Sequence, residues 1–155
     1  MKFDWKKLLF CLIIPLAVGG LATLISGGMD SYSVLNQPPL SPPGWIFPIV
    51  WTILYLAMGY ASYRVLTSQA DRNDIKQALT FYGIQLALNF LWPLVFFGLG
   101  WYWAAFVLLV LLWIFIYLTM RMFGTIDDTA ENLLIPYLLW VTFAGYLNLG
   151  VALLN

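Results

Sequence analysis

The chain carries no charged residue between Gln77 and Met120, and this stretch restricts the fold more than any other feature. It is more than twice as long as the roughly 20 apolar residues that one transmembrane helix needs. Two glycines within residues 98–100 interrupt it, and Trp101 and Trp103 follow, as aromatic residues do where helices meet a membrane interface. The stretch therefore predicts two consecutive membrane spans.

Composition extends this interpretation to the whole chain. Hydrophobic residues make up 63% of the sequence and charged residues 9%, whereas soluble domains are about half apolar and a quarter charged. The first apolar segment is about nineteen residues long, which exceeds the 7–15 residues of a signal-peptide core, so we predict a retained span. The sequence thus predicts an all-α membrane protein, a single domain over residues 1–155 that forms a five-transmembrane-helix bundle. The predicted spans cover approximately residues 8–26, 45–66, 76–97, 101–122 and 132–154.

The basic residues predict how this bundle is oriented. With five spans, every lysine and arginine falls on one face of the membrane, as the positive-inside rule demands, whereas four or six spans would break that segregation. We therefore expect a multi-pass protein of the cell membrane, with a cytoplasmic N-terminus and with the first loop and the C-terminus outside. The basic residues are Lys2, Lys6, Lys7, Arg64, Arg72, Lys76 and Arg121.

A proline-dense loop separates the first two predicted spans. Pro38, Pro39, Pro42 and Pro43 each fix φ and lack a backbone N–H, so they cannot lie together in a helix. They predict a stiff, extended segment that leads to a helix starting near Trp45. We expect this long first loop to be a rigid cover over a buried pocket.

The available residue types exclude several classes of function. The sequence has no histidine and one cysteine, which excludes disulfide frameworks, zinc sites and histidine-ligated haem within one chain. We therefore expect no metal site and no required cofactor. A formal net charge of zero argues against nucleic acid as a partner. No Asp, Glu, Lys, Arg or His lies in the core of a predicted span, which disfavours proton-coupled pumps and ion channels.

Three spans each carry polar and aromatic side chains on one helical face. The third span places two amides and an indole on one side, where they either contact a ligand or join neighbouring helices as structural glue. The fifth span has a small residue between an indole and an amide, which leaves a concavity, and the second span stacks a tryptophan on a tyrosine. Such groups suit a flat, largely apolar aromatic ligand. The candidate ligand-binding residues are Trp51, Tyr55, Gln85, Asn89, Trp92, Trp140, Ala144, Leu147 and Asn148.

Three segments of the chain are distinctive. They are PPGWIFPIVWTILYLAMGYASY, QLALNFLWPLVFFG and PYLLWVTFAGYLNLGV, at residues 42–63, 85–98 and 136–151. Together they resemble the tryptophan-rich sensory protein/translocator protein (TspO/MBR) family, in its bacterial form. The resemblance implies a five-helix bundle whose pocket under the first loop takes porphyrins such as protoporphyrin IX, or benzodiazepine-like small molecules. It also implies a homodimer in the lipid bilayer.

Residue by residue, the resemblance places the family's pocket on the faces described above. The pocket tryptophans fall on Trp51 and Trp140, and the last-helix pocket positions fall on Ala144, Leu147 and Asn148. The pattern L-N-x-x-W-P falls on Leu88, Asn89, Trp92 and Pro93.

The resemblance implies a tetrapyrrole sensor or scavenger, with possible light- and oxygen-dependent porphyrin degradation. In that activity Trp51 and Trp140 are the candidate catalytic residues, as redox partners and as clamps on a ring held between them. Two alternatives stay open, a transporter of porphyrins or of lipids and sterols, and a ligand-switched regulatory membrane subunit. The aromatic–arginine pattern that mammalian members carry after the fifth span is absent here, which argues against steroid transport.

Overall fold

The computed structural model describes residues 3–27 and 32–155, and within them every regular element is helical. Five helices are long and apolar enough to cross a membrane, which confirms the five predicted spans. A short 3-10 helix (Tyr32–Val34) lies in the first loop. The long helices are α1 (Trp5–Ser26), α2 (Ile46–Leu66), α3 (Arg72–Pro93), α4 (Tyr102–Gly124) and α5 (Asp128–Leu154).

Three helices begin earlier than their apolar stretches predicted, and the first of them is α1, which begins at Trp5 rather than near residue 8. Helix α3 begins at Arg72 rather than near residue 76, and α5 begins at Asp128 rather than near residue 132. Hydropathy detects only the part of a helix that lies in hydrocarbon, whereas the helix itself continues through polar residues. The start of α5 is fixed by Asp127, whose carboxylate accepts a hydrogen bond from the Thr129 N–H at 2.9 Å.

The turn between the third and fourth spans lies where the glycines predicted it. Beyond Pro93 the chain forms a π-helical turn (Leu94–Leu99), and Gly100 then adopts a left-handed conformation with φ 68°. Glycine has no Cβ to oppose that conformation, so the chain can reverse within a few residues and enter α4.

The helices form a closed ring. Helix α1 packs on α2, α2 on α5, α5 on α4, α4 on α3, and α3 returns to α1. We call the end that carries the first loop the outer end and the opposite end the basic end. Towards the basic end the ring is filled by fully buried side chains, among them Met58, Val65, Ile116, Phe123 and Leu134. Any large cavity must therefore lie towards the outer end.

Two ion pairs join the helices at the basic end. Arg64 of α2 contacts Asp127 at 2.7 Å, and Arg121 of α4 contacts Glu131 of α5 at 3.3 Å. Burial acts to raise the pKa of Asp127, but hydrogen bonds from Arg64 and from the backbone N–H groups of Thr129 and Ala130 outweigh it. They hold the pKa below its ordinary value of 3.8.

This ion pair predicts a pH-dependent contribution to stability. A carboxylate with a lowered pKa stabilises the fold fully at neutral pH, and the contribution is lost as the pH falls below 3.8 and through the folded-state pKa. We expect Asp127→Asn, which keeps an oxygen for the cap, to lower the free energy of unfolding at neutral pH by about 1 kcal/mol. Thermal unfolding in detergent at neutral and at strongly acidic pH measures this effect.

The matched control is Asp71→Asn, because the Asp71 side chain makes no capping hydrogen bond at the start of α3. The Asp127→Asn variant should lose less stability than the unsubstituted protein on acidification. An equal loss for both proteins would contradict the predicted role of the carboxylate.

Candidate functional site

A cavity of about 280 Å³ lies inside the bundle towards the outer end, and we call it the main cavity. Its walls come from α1, α2 and α3 and from the π-helical turn, with two leucines of α4 also contributing. None of its lining residues is charged. The aromatic lining residues are Phe47, Trp51, Tyr55, Trp92 and Phe97.

The main cavity opens sideways between α1 and α2. Among its lining residues Gly20 and Thr23 of α1 and Pro48 and Thr52 of α2 are exposed. Gly20 and Thr52 each lie six residues inside their helix, which is about 9 Å below its outer end. An opening at this depth in two apolar spans faces the hydrocarbon of a bilayer rather than water.

A second, smaller cavity of about 40 Å³ lies beside the main cavity, and we call it the inner chamber. The two share the side chains of Phe47, Trp51, Trp92 and Phe97 as a common wall. The other residues that line the inner chamber are Tyr32, Phe96, Trp140, Ala144, Leu147 and Asn148.

The structure brings eight of the nine candidate residues to these two cavities. Both cavities contact Trp51 and Trp92, the main cavity also contacts Tyr55 and Asn89, and the inner chamber contacts the remaining four. Gln85 lines neither cavity and is buried below them. The nine positions remain a predicted ligand site, because the geometry places them without testing what they bind.

The amides of α3 are engaged in a chain of hydrogen bonds below the main cavity. The Tyr55 hydroxyl donates to Asn89 Oδ1 at 2.9 Å, and Asn89 Nδ2 donates to the Tyr137 hydroxyl at 2.7 Å. The Tyr137 hydroxyl in turn donates to Gln85 Oε1 at 2.7 Å. This chain of hydrogen bonds joins α2, α3 and α5. Both amides therefore join neighbouring helices, which was one of the two roles predicted for this side of α3.

Asn148 has a similar fixed role beside the inner chamber. Its Oδ1 accepts a hydrogen bond from Trp92 Nε1 at 2.9 Å, and its Nδ2 donates to the Tyr102 carbonyl at 2.9 Å. The amide thereby joins α3, α4 and α5 and sets the plane of the Trp92 indole. That indole forms part of the wall between the two cavities.

The proline-rich loop is fastened to the end of α5. Asn155 Nδ2 donates to the Asn36 carbonyl at 2.9 Å, and the Tyr146 hydroxyl donates to the Pro39 carbonyl at 2.6 Å. Gly150 permits Pro38 to pack directly on the helix. The expected rigid cover is thus tied down on the α5 side, whereas the main cavity is open on the α1–α2 side.

The expected slot between the two tryptophans is smaller than a porphyrin requires. Trp51 and Trp140 both line the inner chamber, but its volume is about 40 Å³. Phe47 occupies the space nearby, with its ring centroid 5.8 Å from that of Trp140 in an edge contact. The space between the two indoles therefore has no room for a flat ring in this structure, whereas Trp51 and Phe47 also line the larger main cavity.

Several residues at or beside the two cavities were not predicted from the sequence, among them Tyr137, Phe47 and Tyr32. Tyr137 lies on the same face of α5 as Ala144 and Asn148, seven and eleven residues earlier, so helical periodicity was a signal for it. Phe47 lies one turn before Trp51, which was also a signal. Tyr32 precedes the proline-rich segment, in a loop without any periodicity.

The cavity walls offer indole, phenol, hydroxyl and amide groups. In the part of the chain that the structure describes, no three His, Cys, Asp or Glu side chains lie together as metal ligands would. Asn89 and Asn148 already use their amide groups in the contacts above. The arrangement can therefore stack on a flat apolar ligand and donate a small number of hydrogen bonds to it.

Comparison with known proteins gives one consistent result. The sequence profile described as "TspO/MBR family" matches residues 9–154. The chain is 42% identical over 150 residues to "Tryptophan-rich protein TspO" of Chlorobaculum tepidum, which covers 96% of this chain and 95% of that protein. It is 38% identical over 155 residues to "Tryptophan-rich sensory protein" of Cereibacter sphaeroides, with 100% and 95% covered. It is 37% identical over 154 residues to "Translocator protein" of Ovis aries, with 96% and 89% covered.

Proposed function

Because this chain belongs to the TspO/MBR family of multi-pass membrane proteins, we propose that it binds tetrapyrroles such as protoporphyrin IX and acts as their sensor or scavenger. The observation that carries the proposal is the main cavity, an uncharged, aromatic-lined space with an opening towards lipid. Its volume of about 280 Å³ lies at the lower edge of the ~300–1,000 Å³ of small-molecule sites. A porphyrin would place one part of its ring inside and the rest in the opening.

The stacking surface for the ring is formed by Trp51 and Phe47. Trp51 is held from below by Tyr55, at a centroid distance of 5.5 Å, and by the edge of Tyr137, at 6.2 Å. An indole fixed in this way loses little conformational entropy when it stacks on a ligand, which favours binding. Benzodiazepine-like molecules present a flat aromatic surface of the same kind, so they are expected to compete for it.

We propose that the bound porphyrin is also degraded under light. Excited porphyrin and dioxygen supply the oxidising power, so the reaction requires no acid–base pair and no metal. Trp51 lines the main cavity, which Trp140 does not, and serves as clamp and electron relay. It gives one electron to the excited ring, and dioxygen takes that electron to become superoxide. The oxidised indole recovers an electron from the porphyrin, and superoxide adds to the oxidised ring. Trp140, which lies behind Phe47, supports that surface through the inner chamber.

Phenylalanine substitutions test this assignment. We expect Trp51→Phe to weaken protoporphyrin IX binding roughly three- to tenfold, because a smaller ring stacks less well and aromatic contacts are worth about 0.5–1.5 kcal/mol. It should also slow bleaching under light, and Trp140→Phe should have the smaller effect on both. Porphyrin fluorescence titrations in dim light and absorbance under illumination measure the two quantities. Trp103→Phe is the matched control, since that indole is 55% exposed.

If both pocket variants bind and bleach protoporphyrin IX as fast as the Trp103→Phe control, the two tryptophans have neither role. If binding weakens but bleaching of the bound porphyrin is unchanged, the protein is a binder without turnover. The two readouts therefore separate sensing from degradation.

Transport across the membrane is a weaker alternative because the cavity does not continue through the bundle. Towards the basic end the ring of helices is filled by side chains such as Met58, Ile116 and Phe123, which are 0% exposed. A transporter would require these side chains to separate. Saturable, protein-dependent movement of porphyrin across liposome membranes would establish transport despite this packing.

We also propose a homodimer in the cell membrane, with the N-terminus in the cytoplasm. The orientation follows from the positive-inside rule. Pairs of small residues four positions apart permit close helix contact, and the chain has such pairs at residues 57 and 61 of α2 and at residues 83 and 87 of α3. Ala61 is fully buried within the chain, whereas Gly83 and Ala87 are exposed. The exposed side of α3 that carries Gly83 and Ala87 is therefore the proposed dimer contact. Crosslinking of cysteines introduced at residues 83 and 87 tests it.

A further inference from the structure

Two neighbouring glycines of α1 differ in what surrounds them. A Cβ atom added at Gly19 would collide with the ring of Tyr55, so this glycine permits the close packing of α1 on α2. A Cβ atom added at Gly20, the helix's own backbone aside, would meet no atom of the described residues within 4 Å. Glycine is a poorer helix former than any residue except proline. Packing therefore accounts for Gly19 but gives no reason for Gly20.

The empty space beside Gly20 belongs to the opening of the main cavity. Leu16, Gly20 and Thr23 follow one another at spacings of four and three residues, so they share one face of α1. All three line the main cavity. A side chain in place of Gly20 would therefore project between α1 and α2, where Thr52 lines the cavity from the other helix at a similar depth.

Contacts deeper in the bundle close the gap between α1 and α2. The Tyr55 ring lies against Gly19, and its hydroxyl is hydrogen-bonded to Asn89 at 2.9 Å. Further towards the basic end, a Cβ atom added at Gly59 would lie 2.7 Å from the Cys11 carbonyl oxygen, so α2 packs directly on the α1 backbone there. The opening is thus confined to the outer part of the two helices.

We propose that Gly20 determines the size selectivity of the site, because its missing side chain leaves room for the part of a macrocycle that the main cavity cannot hold. This inference rests on the proposed function, in which a porphyrin ring lies partly in the opening. A cavity of about 280 Å³ holds a smaller flat molecule completely. The open space beside Gly20 therefore favours a wide, flat ligand such as a tetrapyrrole over one of half that width.

Substitutions that fill the opening test the proposal. We expect Gly20→Leu to weaken protoporphyrin IX binding at least tenfold and Gly20→Ala about two- to threefold, because each added carbon occupies space that the ring needs. The matched control is Ala17→Leu, since Ala17 is exposed on the same helix and lines neither cavity, and its affinity should stay unchanged. Fluorescence titrations at one fixed amount of detergent measure the three affinities, and thermal unfolding checks that each variant folds.

A smaller probe separates selectivity from general damage. A dipyrromethene is a flat half of the macrocycle and fits inside the main cavity, so Gly20→Leu should change its affinity less than twofold. Equal weakening of the dipyrromethene and of protoporphyrin IX would mean that the leucine disturbs the whole site, and would overturn the proposal. Slower binding and slower release of protoporphyrin IX at unchanged affinity would also overturn it, because the opening would then be a passage only.

A second readout locates the bound ring without any change in affinity. In Gly20→Cys, bound protoporphyrin IX should slow the reaction of the introduced thiol with an apolar maleimide about tenfold. In Ala17→Cys it should have no effect. The native Cys11 is 6% exposed, and the unsubstituted protein gives its background reaction. Equal reaction rates of the Gly20→Cys variant with and without porphyrin would show that the ring does not reach the opening.

The failure of this inference differs from the failure of the proposed function. If the unsubstituted protein binds no protoporphyrin IX, the tetrapyrrole function is wrong. If it binds protoporphyrin IX, and Gly20→Leu binds it as tightly as Ala17→Leu does, the tetrapyrrole site stands and Gly20 does not set its selectivity.

Discussion

Replacing Gly150 by alanine should weaken porphyrin binding about tenfold or more, although the substituted residue contacts neither cavity. A methyl group at this position of α5 would meet three ring carbons of Pro38, the farthest of them at 3.0 Å. The proline ring is rigid and cannot move aside alone. Overpacking of this kind costs about 1–3 kcal/mol, and 1.4 kcal/mol corresponds to a tenfold change in affinity.

The displacement of Pro38 has to spread through the loop, because the loop residues on both sides of it are held by hydrogen bonds. Asn36 on one side and Pro39 on the other are hydrogen-bonded to α5, and the Gln37 side chain donates to the Tyr32 carbonyl at 2.8 Å. Lifting Pro38 therefore strains the contacts that hold Tyr32 against Phe47, whose ring centroids are 5.4 Å apart. We expect the wall shared by the two cavities to open.

The matched control is Gly145→Ala in the same helix. Its added methyl group meets only Leu109 Cδ2 at 3.8 Å, which is an ordinary contact. Both substitutions gain the same helix propensity, so that effect cancels in the comparison. Fluorescence titration with protoporphyrin IX measures both variants, and equal affinities would show that the position of the loop does not govern the site.

The second large effect should come from Tyr137→Phe, which we expect to lower the free energy of unfolding by about 1–3 kcal/mol. The Tyr137 side chain is 1% exposed, and its hydroxyl both accepts from Asn89 and donates to Gln85. Phenylalanine keeps the edge contact with Trp51 but leaves two amide groups without their partner. Buried amides that lose a partner are destabilising even in a membrane protein.

Thermal unfolding in detergent measures this prediction, with Tyr117→Phe as the control. Tyr117 is 42% exposed and stacks on Trp113, so its hydroxyl lies outside the bundle. We expect a clearly lowered melting temperature for Tyr137→Phe alone, together with weaker porphyrin binding because Asn89 and Tyr55 line the main cavity. Identical melting of the two variants would mean that the hydrogen-bond chain does not hold the three helices together.

The fold could be predicted from sequence because a bilayer imposes length and composition on each span. The turn at residues 98–100 followed from its glycines and from the two tryptophans after it, and the structure has the turn there. The early starts of α3 and α5 could not follow from hydropathy, since Arg72 and Asp128 are polar residues that continue a helix outside the hydrocarbon.

The site was predictable only where its residues lie at helical spacing. Trp140, Ala144 and Asn148 were found because one stripe carries them to one cavity. The role of Tyr32 depends on contacts between a loop and the end of the chain, such as that of Asn36 with Asn155, 119 residues away. The size of the space between Trp51 and Trp140 depends on the rotamer of Phe47, and no pattern in the sequence indicates a rotamer.

Because the main cavity opens sideways towards lipid, the ligand concentration that determines occupancy of this site is the concentration in the membrane. A ligand that enters between Gly20 and Thr52 leaves acyl chains rather than water. Binding then depends on the mole fraction of the ligand in the membrane. An apparent dissociation constant expressed per litre of buffer will change with the amount of lipid or detergent in the sample. Under the proposed function, the protein would respond to pigment that has accumulated in the bilayer, and the same molecule dissolved outside would act only after it has partitioned into the lipid.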